Sequence, residues 1–203
     1  MDYAIPVKEE ILNAAQKALE ANGFAVSIAE NAGEAKSKVL ALIPEGAEVF
    51  TMTSMTLEAL GIPKEINESG KYNSVRNKLN DPNTPAREKK RLGAAPEWTI
   101  GSVNAVAATG SLLNGSNTGS QLGAYAYGAD HVIFVVGAQK IAPSVDEAIK
   151  RIYDYVLPKE TLRARAAYNL PEFNSFVSKL LITNREVIRG RTTIVLVKEA
   201  VGF

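Results

Sequence analysis

Apolar residues recur at helical spacing over residues 6–22, where Ile11, Leu12, Ala15, Ala18 and Leu19 share one face. Gly23 is a stop for that helix, and the apolar stretch 24–29 follows as a strand. Asn31 with Glu34 three positions later has the spacing of a capping box, which opens a second helix that Pro44-Glu45-Gly46 ends. Residues 47–52 read as the next strand. Strand, helix and strand at such short intervals predict a parallel sheet with helices packed on its faces and a right-handed crossover.

Beyond Met52 a hydroxyl-rich turn leads into a short helix closed by Gly61. Residues 64–100 read as a helical excursion from the sheet, broken by Pro82 and Pro85, with Thr84-Pro85 opening its second piece and Gly93 closing it. A strand is predicted over 102–107, with 111–113 able to pair as its continuation. Asn114-Gly115-Ser116-Asn117 reads as a turn. Thr118 and Gln121 have capping-box spacing, which predicts a helix from Gly119 to Tyr127. Residues 131–137 form a buried strand, Ser144 and Glu147 open a helix reaching Leu157, and 193–198 form a last strand. The inward face of the helix that Ser144 opens carries Ala148, Ile149, Ile152 and Val156. Residues 159–190 are read as helical or irregular. The pattern is that of one α/β domain over 1–203, a mostly parallel sheet flanked by helices, with 64–100 as the excursion.

The chain of 203 residues is long enough to bury roughly 70% of its unfolded surface, so no metal or disulfide staple is needed. With 23 basic and 22 acidic residues the net charge is +1. That gives no field to draw nucleic acid or an anionic membrane, and neither is expected as a partner. There is no cysteine, which removes a disulfide framework, a thiolate nucleophile and a cysteine-ligated iron–sulfur or zinc site from this chain. The first ten residues lack a basic start followed by an apolar core, so no signal peptide is expected. No apolar run nears the ~20 residues of a membrane span. A cytoplasmic location is the expectation.

In open α/β sheets ligands bind beyond the carboxyl ends of the strands, and three loops there carry suitable groups. In the first, Thr53 and Ser54 offer hydroxyls to a phosphate or carboxylate, or simply cap the next helix. In the second, Thr109, Gly110 and Ser111, then Asn114 and Gly119, offer amides and hydroxyls for an anion nest, or a plain turn and cap. It matches neither a Walker loop nor a dinucleotide fingerprint. In the third, Gly137 precedes Lys140, which is placed at the rim of the cleft as a point charge for an anion, or as an ordinary exposed lysine. His131, the single histidine, starts its strand at the far end and is read as structural. Trp98 is read as a docking anchor.

The stretch 102–141 resembles the LUD-domain family, also called the lactate utilisation protein C family. The matching elements are Ser102-Val103-Asn104-Ala105, the Thr109-Gly110-Ser111 turn, the glycine-bearing helix start, and Val135-Val136-Gly137-Ala138-Gln139-Lys140-Ile141. The 53–61 turn and the closing 194–203 segment are also similar to the family. The resemblance implies a Rossmann-like sheet of the sugar-phosphate isomerase and CoA-transferase group. It also implies a link to oxidation of L-lactate to pyruvate alongside iron–sulfur partner subunits, and it adds Asn104 to the candidate ligand-binding residues. It supplies no catalytic set. Many relatives carry cysteines between the last long helix and the final strand. None stands here, so no cofactor is expected in this chain and iron–sulfur clusters are expected only on partner proteins. Gln139 stands where relatives often have asparagine.

Three functions are compatible with these observations. One is a LUD protein that binds a small carboxylate or phosphorylated metabolite in support of lactate oxidation. A second is an independent CoA-transferase-like or sugar-phosphate isomerase-like enzyme, which would want a carboxylate in the cleft. No acidic residue is placed at a strand end; Glu58 lies along its helix. The third is a non-catalytic scaffold subunit, and a homo-oligomer is compatible with any of them.

Overall fold

The runs 132–136 and 194–197 are apolar without interruption, as strands must be when helices cover both faces of a parallel sheet. The computed structural model describes residues 2–203; Met1 lies outside them. Along the chain the strands are β1 (Ala25–Ala29), β2 (Glu48–Thr51), β3 (Asn73–Ser74), β4 (Trp98–Gly101), β5 (Ala105–Ala107), β6 (Ser111–Ser116), β7 (His131–Gly137), β8 (Ile141–Ala142), β9 (Lys179–Thr183) and β10 (Thr192–Val197). The α-helices are α1 (Glu9–Ala21), α2 (Ala32–Leu42), α3 (Met55–Ala59), α4 (Ile62–Glu68), α5 (Val75–Asn80), α6 (Ala86–Ala94), α7 (Val145–Arg151) and α8 (Leu157–Tyr168).

Six strands form a parallel sheet in the order β1-β10-β7-β4-β2-β3. The period of two along each strand divides the core. Phe134, Val136, Ile194 and Leu196 face Leu12, Ala15 and Leu19 of α1, together with Val75 of α5. Ile133, Val135, Val195 and Val197 face Ala35 and Val39 of α2, Leu57 of α3, and Ile62 and Ile66 of α4. Each fully buried leucine or isoleucine here contributes roughly 1.5–3 kcal/mol. Asn31 caps α2 by accepting from Glu34 N at 3.0 Å, and Glu34 reaches back to Glu30 N at 2.8 Å.

The remaining four strands make a second sheet, β8-β5-β6-β9. Neighbours β4 and β7 both leave the main sheet through short turns, 102–104 and 138–140, and continue as the parallel neighbours β5 and β8. The helix α7 packs on this sheet through Ala148. It then widens into a π turn, Ile152–Val156, before α8. A second π turn spans Ala124–Gly128.

The α/β class and the flanked parallel sheet are as the sequence predicts, and five local expectations are corrected. Residues 64–100 do not stay outside the sheet. They return to it twice, as β3 and as the central strand β4, both too short to show periodicity. The strand expected over 102–107 is in fact a turn followed by β5 of the second sheet. Residues 114–116 are strand rather than turn, paired with 179–181 of β9; their polar side chains face a cleft, which is why they look like a loop. The helix expected over 119–127 is a π turn. Ser116 takes the capping role, accepting from Gly119 N at 2.8 Å, and Thr118 accepts from Ser120 N. Within 159–190 lie the end of α8 and the strand β9.

Candidate functional site

The strand order reverses direction between β2 and β4. The chain leaves β2 outward to the edge strand β3, whereas it leaves β4 inward toward β7. Connections that diverge from neighbouring parallel strands open a crevice at their carboxyl ends. A cavity of about 300 Å³ lies there. Its walls come from the loop after β2, the turn 102–104, β6 with its following turn, and the α7–α8 helix with residues 173–177. Both π turns contribute, through Tyr125, Ile152 and Val156; such widened turns frequently occur at functional sites.

Lys140 forms the floor. It is 2% exposed, so its expected place at the rim is corrected: the turn after β7 folds it inward between the two sheets. Its ammonium donates to Thr56 Oγ1 at 2.8 Å, Ser102 Oγ at 3.0 Å and the Val103 carbonyl at 3.2 Å. Thr56 and Ser102 spend their own hydrogens on Val201 O and Val135 O. Both hydroxyls therefore present lone pairs to Lys140, an arrangement that fits three N–H donors. Among the described residues no side-chain carboxylate pairs with it. Burial, then the Arg151 charge, push its pKa down to about 7.

A second buried cation stands behind the floor. Arg151 is fully buried. It donates to the carbonyls of Asn104 and Tyr3 and lies 5.1 Å from the Tyr155 ring centroid. Its Nε has no partner, and burial lowers its pKa to about 10. Asn104 commits Oδ1 to Gly115 N at 2.6 Å, so its amide nitrogen is what it can offer a ligand. Asn114 donates to Ser102 O at 3.0 Å and fixes β6 against the turn. Arg76 of α5 closes the β2 side. It donates to Thr51 O and lies 4.8 Å from the centre of the Phe50 ring. Opposite, Tyr125 is wedged against Gly101, where any Cβ would overlap its hydroxyl. Burial pushes the Tyr125 phenol pKa up, keeping it neutral.

The structure gathers Thr53, Ser54, Asn104, Asn114 and Lys140 around one cavity. Ser54 also caps α3. Five other expected residues lie elsewhere. Thr109 and Gly110 form the β5–β6 hairpin turn, whose carbonyls accept from Asn22 at the end of α1. Ser111 hydrogen-bonds Asn184 at 3.0 Å. Gly119 turns the chain next to Lys179, and Gly137 packs against Gln139 and Val201. The second loop thus splits because β5 and β6 are antiparallel, which sends the hairpin away from the cleft. His131 and Trp98 stack at 4.0 Å at the amino ends of β7 and β4. Arg76 and Arg151 escaped the sequence reading. Arg151 had a signal, because it falls three residues after Ala148 on the face expected to point inward.

Among the lining side chains three cations, Arg76, Lys140 and Arg163, stand against one carboxylate, Glu160. Arg163 clamps that carboxylate through two hydrogen bonds of 2.7 Å. The fold and this cleft define a class: an open α/β domain with an electropositive crevice at a switch in strand order. A family model for the LUD domain matches residues 12–196, and the chain belongs to that family. A crystal structure of a DUF162 family protein from Deinococcus radiodurans superposes with a TM-score of 0.55 over 95% of this chain and 99% of that one, at 14% identity. No curated protein matches the chain. Among the described residues no helix is long and apolar enough to cross a membrane.

Proposed function

We propose that the cleft binds a small carboxylate or phosphorylated metabolite. On this reading the protein supports oxidation of L-lactate to pyruvate in the cytoplasm, and iron–sulfur clusters reside on partner subunits. The observation behind the binding site is Lys140: an ammonium buried at the floor of a cavity with no carboxylate beside it. A buried charge is costly unless paired, and an anionic ligand would supply the pair. The lactate link comes from family membership. An independent acyl-CoA or sugar-phosphate enzyme has less support, because among the described residues the only side-chain carboxylate lining the cavity, Glu160, is held by Arg163.

Two results are expected. Deleting the gene should abolish growth of the host on L-lactate while leaving growth on glucose intact; normal growth on lactate would refute the lactate role. Calorimetric titration should show pyruvate or lactate binding that weakens with pH. Lys140 is charged below about 7, and the only charged group acting on it, Arg151, keeps its proton up to about 10. Affinity should therefore be flat below pH 7 and fall by up to about tenfold per unit above it. Affinity constant from pH 6 to pH 9 would exclude Lys140 as the anion's partner.

A further inference from the structure

The cavity's size and lining say more about the ligand than its charge does. Its volume of about 300 Å³ is room for roughly ten waters at ~30 Å³ each, far more than a three-carbon acid displaces. Beyond the cationic floor, one wall is a band of neutral hydrogen-bonding side chains from β6 and the turn that follows it: Asn114, Ser116, Asn117, Thr118, Ser120 and Gln121. Part of their capacity is internal. Ser116 donates to Gln121 Oε1 at 3.2 Å, and Asn117 Oδ1 accepts from Ser178 at 3.4 Å. Those contacts use the amide oxygens. The amide nitrogens of Asn117 and Gln121, like that of Asn104 across the cavity, stay available as donors.

A hydrocarbon chain laid along this band would take water from several amides and hydroxyls and return nothing, at a cost for each group left unpaired. A body bearing hydroxyls would replace those waters group for group. Sites built this way discriminate strongly against analogues that lack the hydroxyl. We infer that the preferred ligand is a polyhydroxylated anion longer than lactate, a sugar acid or sugar phosphate, with its charge on Lys140 and its hydroxyls along the 114–121 band. This rests on the anion site proposed above and adds the chemical class of its occupant.

The test is calorimetric titration of the intact protein, at a pH below 7, with four probes: gluconate, ribose phosphate, hexanoate and lactate. Gluconate and hexanoate have equal carbon number and charge and differ in hydroxyls. At about fivefold per matched hydroxyl, gluconate or ribose phosphate should bind at least a hundredfold more tightly than hexanoate and at least tenfold more tightly than lactate. Which of the two binds better separates a carboxylate from a phosphate head. Gln121→Leu should weaken the polyhydroxylated probe by about fivefold, the worth of one matched hydroxyl, and leave lactate within about twofold, with an unchanged melting temperature showing that the variant is folded. Hexanoate equal to or tighter than both polyhydroxylated probes, or lactate as tight as they are, overturns the inference while leaving the anion site standing. Binding of none of the four overturns both.

Discussion

Lys140→Met is expected to melt at or above the wild-type temperature while losing roughly ten- to hundredfold in affinity for an anionic ligand, because it removes a buried positive charge whose Coulomb attraction at ~8 Å and an effective dielectric of ~20 is about 2 kcal/mol. The two halves of that expectation share a cause. Burying an ammonium with no counter-ion costs several kcal/mol even after relaxation. The three acceptors around Lys140 offset part of this, and two of them, Thr56 and Ser102, remain satisfied without it through Val201 O and Val135 O. Methionine fills a similar volume and needs no partner, so the folded state loses little or gains. A lysine kept only for packing would show the reverse, lower stability with intact binding.

The pH dependence of stability sharpens the same test. The lysine's folded value of about 7 lies below its ordinary 10.5. Between those values the unfolded chain holds the proton more tightly than the folded one. Stability then rises with pH across the window. The wild type should gain on the variant as pH climbs from 7 to 10 in parallel urea titrations. Parallel curves would mean that the ammonium stays protonated in its cage throughout.

The long-range order of this fold was legible because it is written in uninterrupted runs. Residues 131–137 and 193–198 can only be buried strands, and Asn31, Ser54 and Ser144 announce the helices they cap. The errors fell where strands are short or carry polar groups for a reason other than solvent. Trp98-Thr99-Ile100-Gly101 is four residues long, too short for a period, and yet it is central. Asn114-Gly115-Ser116 has turn composition because it lines a cavity. The site was half legible for the same reason. Loops after β2 and β7 were readable from strand ends alone. The hairpin at Thr109-Gly110 has the composition of a ligand loop, but it points away because β6 runs antiparallel to β5. Lys140 was identified, yet nothing local in the chain says that the turn after β7 folds inward. Its burial depends on β4 and β7 leaving the main sheet together.

Arg191→Met is expected to cost about 3–5 kcal/mol, the usual consequence of removing one partner of a buried ion pair. Arg191 is 7% exposed. It pairs with Glu186 at 2.9 Å and donates to the carbonyls of Ala124, Tyr125 and Ala129 at 3.0–3.1 Å. Ala124 and Tyr125 belong to the π turn that carries Tyr125 into the cleft wall and Ala129 ends it; Ala124 O also accepts from Ala129 N at 3.2 Å. Methionine would take a donor from all three carbonyls and leave the Glu186 carboxylate with Ile188 N and Thr192 but no cation. Burial raises the Glu186 pKa, but hydrogen bonds from Ile188 N, Thr192 and Arg191 outweigh it and hold the value below the ordinary 4.5. Glu186 therefore adds stability above that pH, and the contribution disappears as pH falls through its depressed folded value. Replacing both members, Glu186→Gln with Arg191→Met, should recover part of the loss and flatten the acid limb. A double variant as unstable as Arg191→Met alone would place the whole cost on the carbonyls of the π turn. In that case Arg191 matters to the cleft as a clamp on Tyr125, and its loss should weaken ligand binding even where the protein stays folded.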